Sequence, residues 1–66
     1  MKQFSKLNTV KLVERTEVVP TLYIENDVLG LVIDKTVPDY YLVKFVGYGA
    51  YWIDGNKLEM SSETLI

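Results

Sequence analysis

Histidine and cysteine are both absent from the 66 residues. That removes the usual general base near neutral pH and the thiolate nucleophile. Carboxylates, lysines and tyrosines remain. Asp34, Asp39 and Asp54 are of the right type for acid–base work. Each falls at an expected strand end or turn, where aspartate is favoured because its side chain accepts hydrogen bonds from nearby backbone N–H groups. Glu25-Asn26-Asp27 gathers oxygen ligands, but the alternating oxygens and distal bidentate glutamate of a calcium loop do not follow, so it reads as a solvated turn. Gly47-Tyr48-Gly49 lacks the preceding parallel strand and the following helix of a phosphate-cradling loop. The expectation is a chain that is not an enzyme and that uses no cofactor and no metal.

The chemistry left is recognition. Residues 40–53, YYLVKFVGYGAYWI, hold four of the five tyrosines and the only tryptophan. Exposed Tyr and Trp supply contact area at little entropic cost and are enriched where proteins bind one another. Lys35, Lys44 and Lys57 are the alternative resource, for phosphate, with an aromatic stacking on unpaired bases. The balance of nine acids against seven bases, net −2, supplies no general attraction to a polyanion or an anionic lipid surface. The acids are scattered among lysines, which makes a poor imitation of a nucleic-acid backbone.

A chain of this length holds one domain, near the lower limit at which a single core offsets the entropy of ordering the backbone. A hydrophobic fraction of 48% and a charged fraction of 24% are those of an ordinary globular protein. Residues 1–66 are expected to form a single domain, with its ordered core at about 8–60. The lack of cysteine, of an apolar leader run and of an Asn-x-Ser/Thr signal points to a reducing, cytoplasmic setting.

The pattern is β almost throughout: Val, Ile, Tyr, Phe and Trp recur with short periods between Gly, Pro, Asn and Asp. Strands are expected at 10–14, 28–34, 40–45, 51–53 and 57–60. A long excursion over 15–26 is expected to fold back on itself as an irregular hairpin with Pro20 at its bend. Gly30 within the second strand points to a bulge or to close approach of another backbone. Val37-Pro38-Asp39 suits a tight turn, Asp54-Gly55-Asn56 supplies another, and the segment from Ser61 to Ile66 reads as a tail or brief closing turn.

Five short strands with a long loop after the first resemble the SH3-like small β-barrel across residues 8–60. Gly30-Leu31-Val32-Ile33, Tyr41-Leu42-Val43-Lys44-Phe45, Tyr51-Trp52-Ile53 and Leu58-Glu59 look most like the branch holding KOW-type domains and PsaE-like photosynthetic accessory subunits. The resemblance implies a five-stranded barrel that binds either protein or nucleic acid. The acidic-aromatic early-loop motif, the paired tryptophans and the late proline of signalling SH3 domains are missing. Binding of proline-rich peptides in their manner is therefore not implied.

Alternation divides the aromatic cluster. Lys44 is the residue least suited to burial, so Tyr41, Val43 and Phe45 should face the core while Tyr40, Leu42 and Lys44 face out. In the next strand Tyr51 and Ile53 are placed inward and Trp52 partly exposed. Tyr48, between two glycines at a turn tip, is expected to have few neighbours, and Tyr23 to fold over the same face. Tyr23, Tyr40, Tyr48 and Trp52 are thus the candidate partner-binding residues. The corresponding expectation is a non-catalytic protein-binding module, an adaptor, accessory subunit or small inhibitor. The alternatives are a KOW-like nucleic-acid binder using Lys35, Lys44 and Lys57, and self-association through Tyr40, Leu42 or Val18-Val19.

Overall fold

The computed structural model describes residues 3–37 and 39–63. The strands are β1 Thr9–Leu12, β2 Thr16–Val19, β3 Leu22–Ile24, β4 Leu29–Thr36, β5 Tyr40–Phe45, β6 Ala50–Asp54 and β7 Leu58–Met60, with a 3₁₀ turn at Gly55–Lys57. The protein is all-β, as its short apolar periods require. Five strands form one antiparallel sheet in the order β6-β5-β4-β1-β7, and β2 pairs with β3 as a separate hairpin. Among the described residues the edge strands β6 and β7 are not hydrogen-bonded to one another, so the sheet is open.

Alternate residues build the core. Val10 and Leu12 of β1, Val32 of β4, Tyr41, Val43 and Phe45 of β5, Ile53 of β6 and Leu58 of β7 are buried together with Phe4 and Ile24. The inward assignment of Tyr41, Val43, Phe45 and Ile53 is therefore met, and Tyr51 packs half-buried against the same cluster. The 15–26 excursion is a hairpin as expected, with Pro20 and Thr21 between its strands. Thr21 turns the chain with φ 68, and its N–H donates to Glu17 Oε2 at 3.0 Å. β2 lies against β6, so the hairpin folds onto the main sheet.

Three local expectations need correction. The bulge lies at Ile33, where the β4–β5 register shifts between Val32 and Asp34, and not at Gly30. Strict alternation would carry Asp34 into the core behind Val32; the extra residue lets Asp34 pair with Leu42 and stay exposed. A buried unpaired carboxylate is far costlier than one irregular step in a ladder. Gly30 is a regular strand residue paired with Val10 and Phe45. A Cβ there would run into the side chains of Val43 and Phe45, so what approaches Gly30 is side chain and not backbone.

β4 also runs on through Thr36, which places Asp34 inside a strand. Finally, the packed structure reaches further towards the N-terminus than 8–60. Phe4 is buried edge-on against Tyr41, with ring centroids 5.2 Å apart and planes at 81°, and its N–H donates to Tyr41 Oη at 3.2 Å. The expected Pro38 turn, and the part of the closing tail at 64–66, lie outside the described residues.

Candidate binding face

The face of β4, β5 and β6 turned away from the core is fixed by register. Leu31, Lys44 and Ala50 share one row, Ile33 and Asp34 share the next with Leu42 and Trp52, and Thr36, Tyr40 and Asp54 make the third. Leu42 and Trp52 are direct cross-strand partners, which sets their Cβ atoms about 5 Å apart, and Tyr40 lies on the diagonal to Trp52 at about 7–8 Å. Trp52 is 47% exposed and Tyr40 42% exposed. The expected partial exposure of Trp52 is met. Its indole stays out because Tyr51 and Ile53 take the inward positions of the same short strand.

Beyond the Leu31 row the apolar surface continues. Val46 borders two shallow depressions, one with Leu31, Lys44 and Phe45, the other with Asp27, Val28, Leu29 and Glu63.

The aromatic quartet expected from sequence does not assemble as a unit. Tyr40 and Trp52 come together. Tyr48 is half-buried and packs against the core, contrary to the isolated turn tip expected of it. The turn explains this: Tyr48 N–H donates to the Phe45 carbonyl at 3.0 Å, with Gly47 at φ 82. That positive φ at the third turn position is the one a type II turn demands, and it folds Tyr48 back onto the sheet. Tyr23 sits on the separate hairpin, opposite Glu17. It is covered by the Arg15 guanidinium at 4.2 Å from the ring centroid, and Arg15 Nε also donates to Glu25 Oε2 at 2.8 Å.

The three candidate lysines lie on different parts of the molecule. Lys44 is on the outer face. Lys35 pairs with inward-facing Tyr41 and borders a depression with Gln3, Thr36 and Val37. Lys57 belongs to the 3₁₀ turn and reaches Glu14 Oε2 at 3.5 Å. β5 has a neighbour on each side. Its backbone therefore offers no edge at Tyr40 and Leu42; the edges of the large sheet are β6 and β7, and Val18-Val19 lies on β2, an edge strand of the separate hairpin.

Carboxylates that sequence reasoning assigned only to turns flank the aromatic end of the face. Asp54 Oδ1 accepts the Asn56 N–H at 2.9 Å and so caps the 3₁₀ turn, which leaves its other oxygen uncommitted to that cap. Asp34 Oδ1 accepts the Lys35 N–H at 2.8 Å and stands 3.9 Å from Lys6 Nζ. The Asp39 carboxylate rests against Gly55, where a Cβ would collide with both of its oxygens, and the Asp39 carbonyl accepts the Gly55 N–H at 2.8 Å. The juxtaposition of Asp34 with Leu42 depends on the Ile33 bulge, and that of Asp54 with Tyr40 on strand register. Only the alternation within each strand was visible beforehand.

No group of acidic side chains among the described residues is arranged to hold a metal ion, and no helix among them is long and apolar enough to cross a membrane. Comparison with protein-family models, with curated proteins and with solved structures finds no match.

Proposed function

We propose that this chain is a non-catalytic protein-binding module, in the class of adaptors, accessory subunits and small inhibitors, which docks a larger protein on the outer face of β4, β5 and β6. The observation that carries this reading is the contiguity of Tyr40, Leu42 and Trp52 on one sheet face, with the tryptophan half in solvent. Burying an indole is worth on the order of 2–3 kcal/mol, and a domain of this size has little stability to spare. Leaving that area outside favours a role at an interface, where Trp and Tyr dominate binding energy.

The strand order supports an SH3-like small barrel as the scaffold: the β2–β3 hairpin fills the first connection and a 3₁₀ turn precedes the last strand. The cysteine-free composition favours a cytoplasmic setting.

Site-specific photocrosslinking tests the reading, with a benzophenone side chain installed on the same face at Thr36 or Ala50 and, as a control, at Glu17 of β2. One defined protein is expected to crosslink from 36 and 50 and not from 17, and the crosslink should be abolished by excess wild-type chain but survive the same excess of Trp52→Ala. Equal capture from all three positions would overturn the assignment. A KOW-like role would show itself instead as amide shifts at Lys44, Tyr48 and Trp52 on adding single-stranded RNA, fading as salt is raised.

A further inference from the structure

We infer that the segment this face receives is basic, and that an arginine or lysine of the partner lies across Trp52 and Tyr40 with its cationic head towards Asp54. The inference rests on the proposed binding role of the face and adds the chemistry of what is bound.

Three observations carry it. The first is geometric. Tyr40 is the cross-strand partner of Asp54, and Trp52 precedes Asp54 by two residues on the same side of β6. Two exposed π-faces and a carboxylate are thus neighbours, and a guanidinium or ammonium stacked on an indole or phenol gains from the ring quadrupole as well as from the charge.

The second is the sign of the surroundings. Asp34 lies in the Trp52 row and Asp54 opposite Tyr40, while Asp39, which rests against Gly55, belongs by alternation to the other side of the sheet. Lys6 Nζ already stands 3.9 Å from Asp34, whereas Asp54 makes no ion pair among the described residues; Lys44 lies at the far end of the face, in the Ala50 row. The aromatic end of the face therefore carries Asp54 outside any ion pair among the described residues and the other end carries Lys44, which sets both the preferred charge of the partner and its direction. These acids are not grouped as metal ligands, and a planar guanidinium can meet separated carboxylates and aromatic rings at once.

The third is that the molecule already satisfies an arginine in this way. Arg15 lies over Tyr23 at 4.2 Å while donating to Glu25 at 2.8 Å. The outer face presents the same kinds of group, an aromatic and a carboxylate, without an arginine of its own among them.

Selection of short random peptides displayed on phage against the immobilised full chain, followed by anisotropy titration of the enriched peptides, tests this. The expected peptides are enriched in Arg or Lys. Their affinity should fall about tenfold in Trp52→Ala and about threefold in Asp54→Asn. Asparagine can still cap the 3₁₀ turn, so Asp54→Asn should keep its thermal midpoint. Replacing the peptide's arginine by uncharged citrulline should match the Asp54→Asn loss.

Peptides that depend on Trp52 but show no basic enrichment, or that are indifferent to both Asp54→Asn and citrulline, would overturn the basic-partner inference and leave the binding face standing. Enriched peptides that bind Trp52→Ala as well as the wild type would overturn both.

Discussion

The two faces of the β4–β5–β6 sheet are made from alternate residues of the same strands, yet they are held to different standards. On the inner face Val32, Val43, Phe45 and Ile53 are shut away from water with Tyr41, and Gly30 has no side chain so that Val43 and Phe45 can occupy its place. On the outer face Leu42 and Trp52 are paired just as closely by register, but the indole is left half in solvent, and Asp34 shares its row. The inner face has one solution fixed by volume. The outer face mixes apolar and charged side chains and is not closed, which is what the proposed docking role requires of it.

The contrast predicts a graded response to substitution. Phe45→Ala should be the most damaging, costing about 3–5 kcal/mol by removing a fully buried ring. Much of a small domain's stability is of that size, so urea denaturation should find the variant largely unfolded before denaturant is added. Gly30→Ala should follow at about 1–3 kcal/mol, through overpacking against Val43 and Phe45. Thermal scanning should see a drop of roughly 5–20 °C for a domain of this length. A midpoint unchanged by Gly30→Ala would mean that the inner face is looser than its geometry implies.

Tyr41→Phe keeps the edge-on ring contact with Phe4 and removes only the hydroxyl that accepts the Phe4 N–H. A loss of about 1–2 kcal/mol is expected from the donor left without its partner. Hydrogen exchange at the Phe4 amide should rise with it. Asp54→Ala should cost about 1 kcal/mol of stability by uncapping the 3₁₀ turn, and Asp54→Asn close to nothing. Trp52→Ala should be mild for the fold, under about 1 kcal/mol, because the residue is half in solvent. Among the variants that stay folded it should also be the most damaging to partner binding. Destabilisation by Trp52→Ala comparable to that of Phe45→Ala would erase the distinction between the faces and reassign the indole to the core.

Much of this contrast was legible in the residues themselves. The presence of Lys44 was enough to orient β5, because a lysine tolerates burial so poorly that one such residue assigns its whole strand. Tyr51 and Ile53 outbid Trp52 for the inner side by combined apolar area. The hairpin in the long excursion was visible from β-prone residues on either side of Pro20. Tyr48 was misjudged because flanking glycines announce a turn without saying in which direction it folds, and the positive φ of Gly47 is a property of the finished hairpin. Phe4 was missed for a related reason. A lone aromatic among polar neighbours carries no periodicity, and its partner Tyr41 is 37 positions away.

The amino-acid order alone determined the all-β class, the inward and outward sets of β5 and β6 and the lack of histidine and cysteine chemistry, since all three depend on residue type and on spacings of two. Tertiary structure decided which strands became neighbours, where the bulge fell and hence which charges reached the aromatic face. Asp34 stands in the Trp52 row, and Asp54 opposite Tyr40, only because β4, β5 and β6 pair in that register. Such pairings join residues distant in sequence and are selected by the packing of the whole sheet, which no local pattern contains.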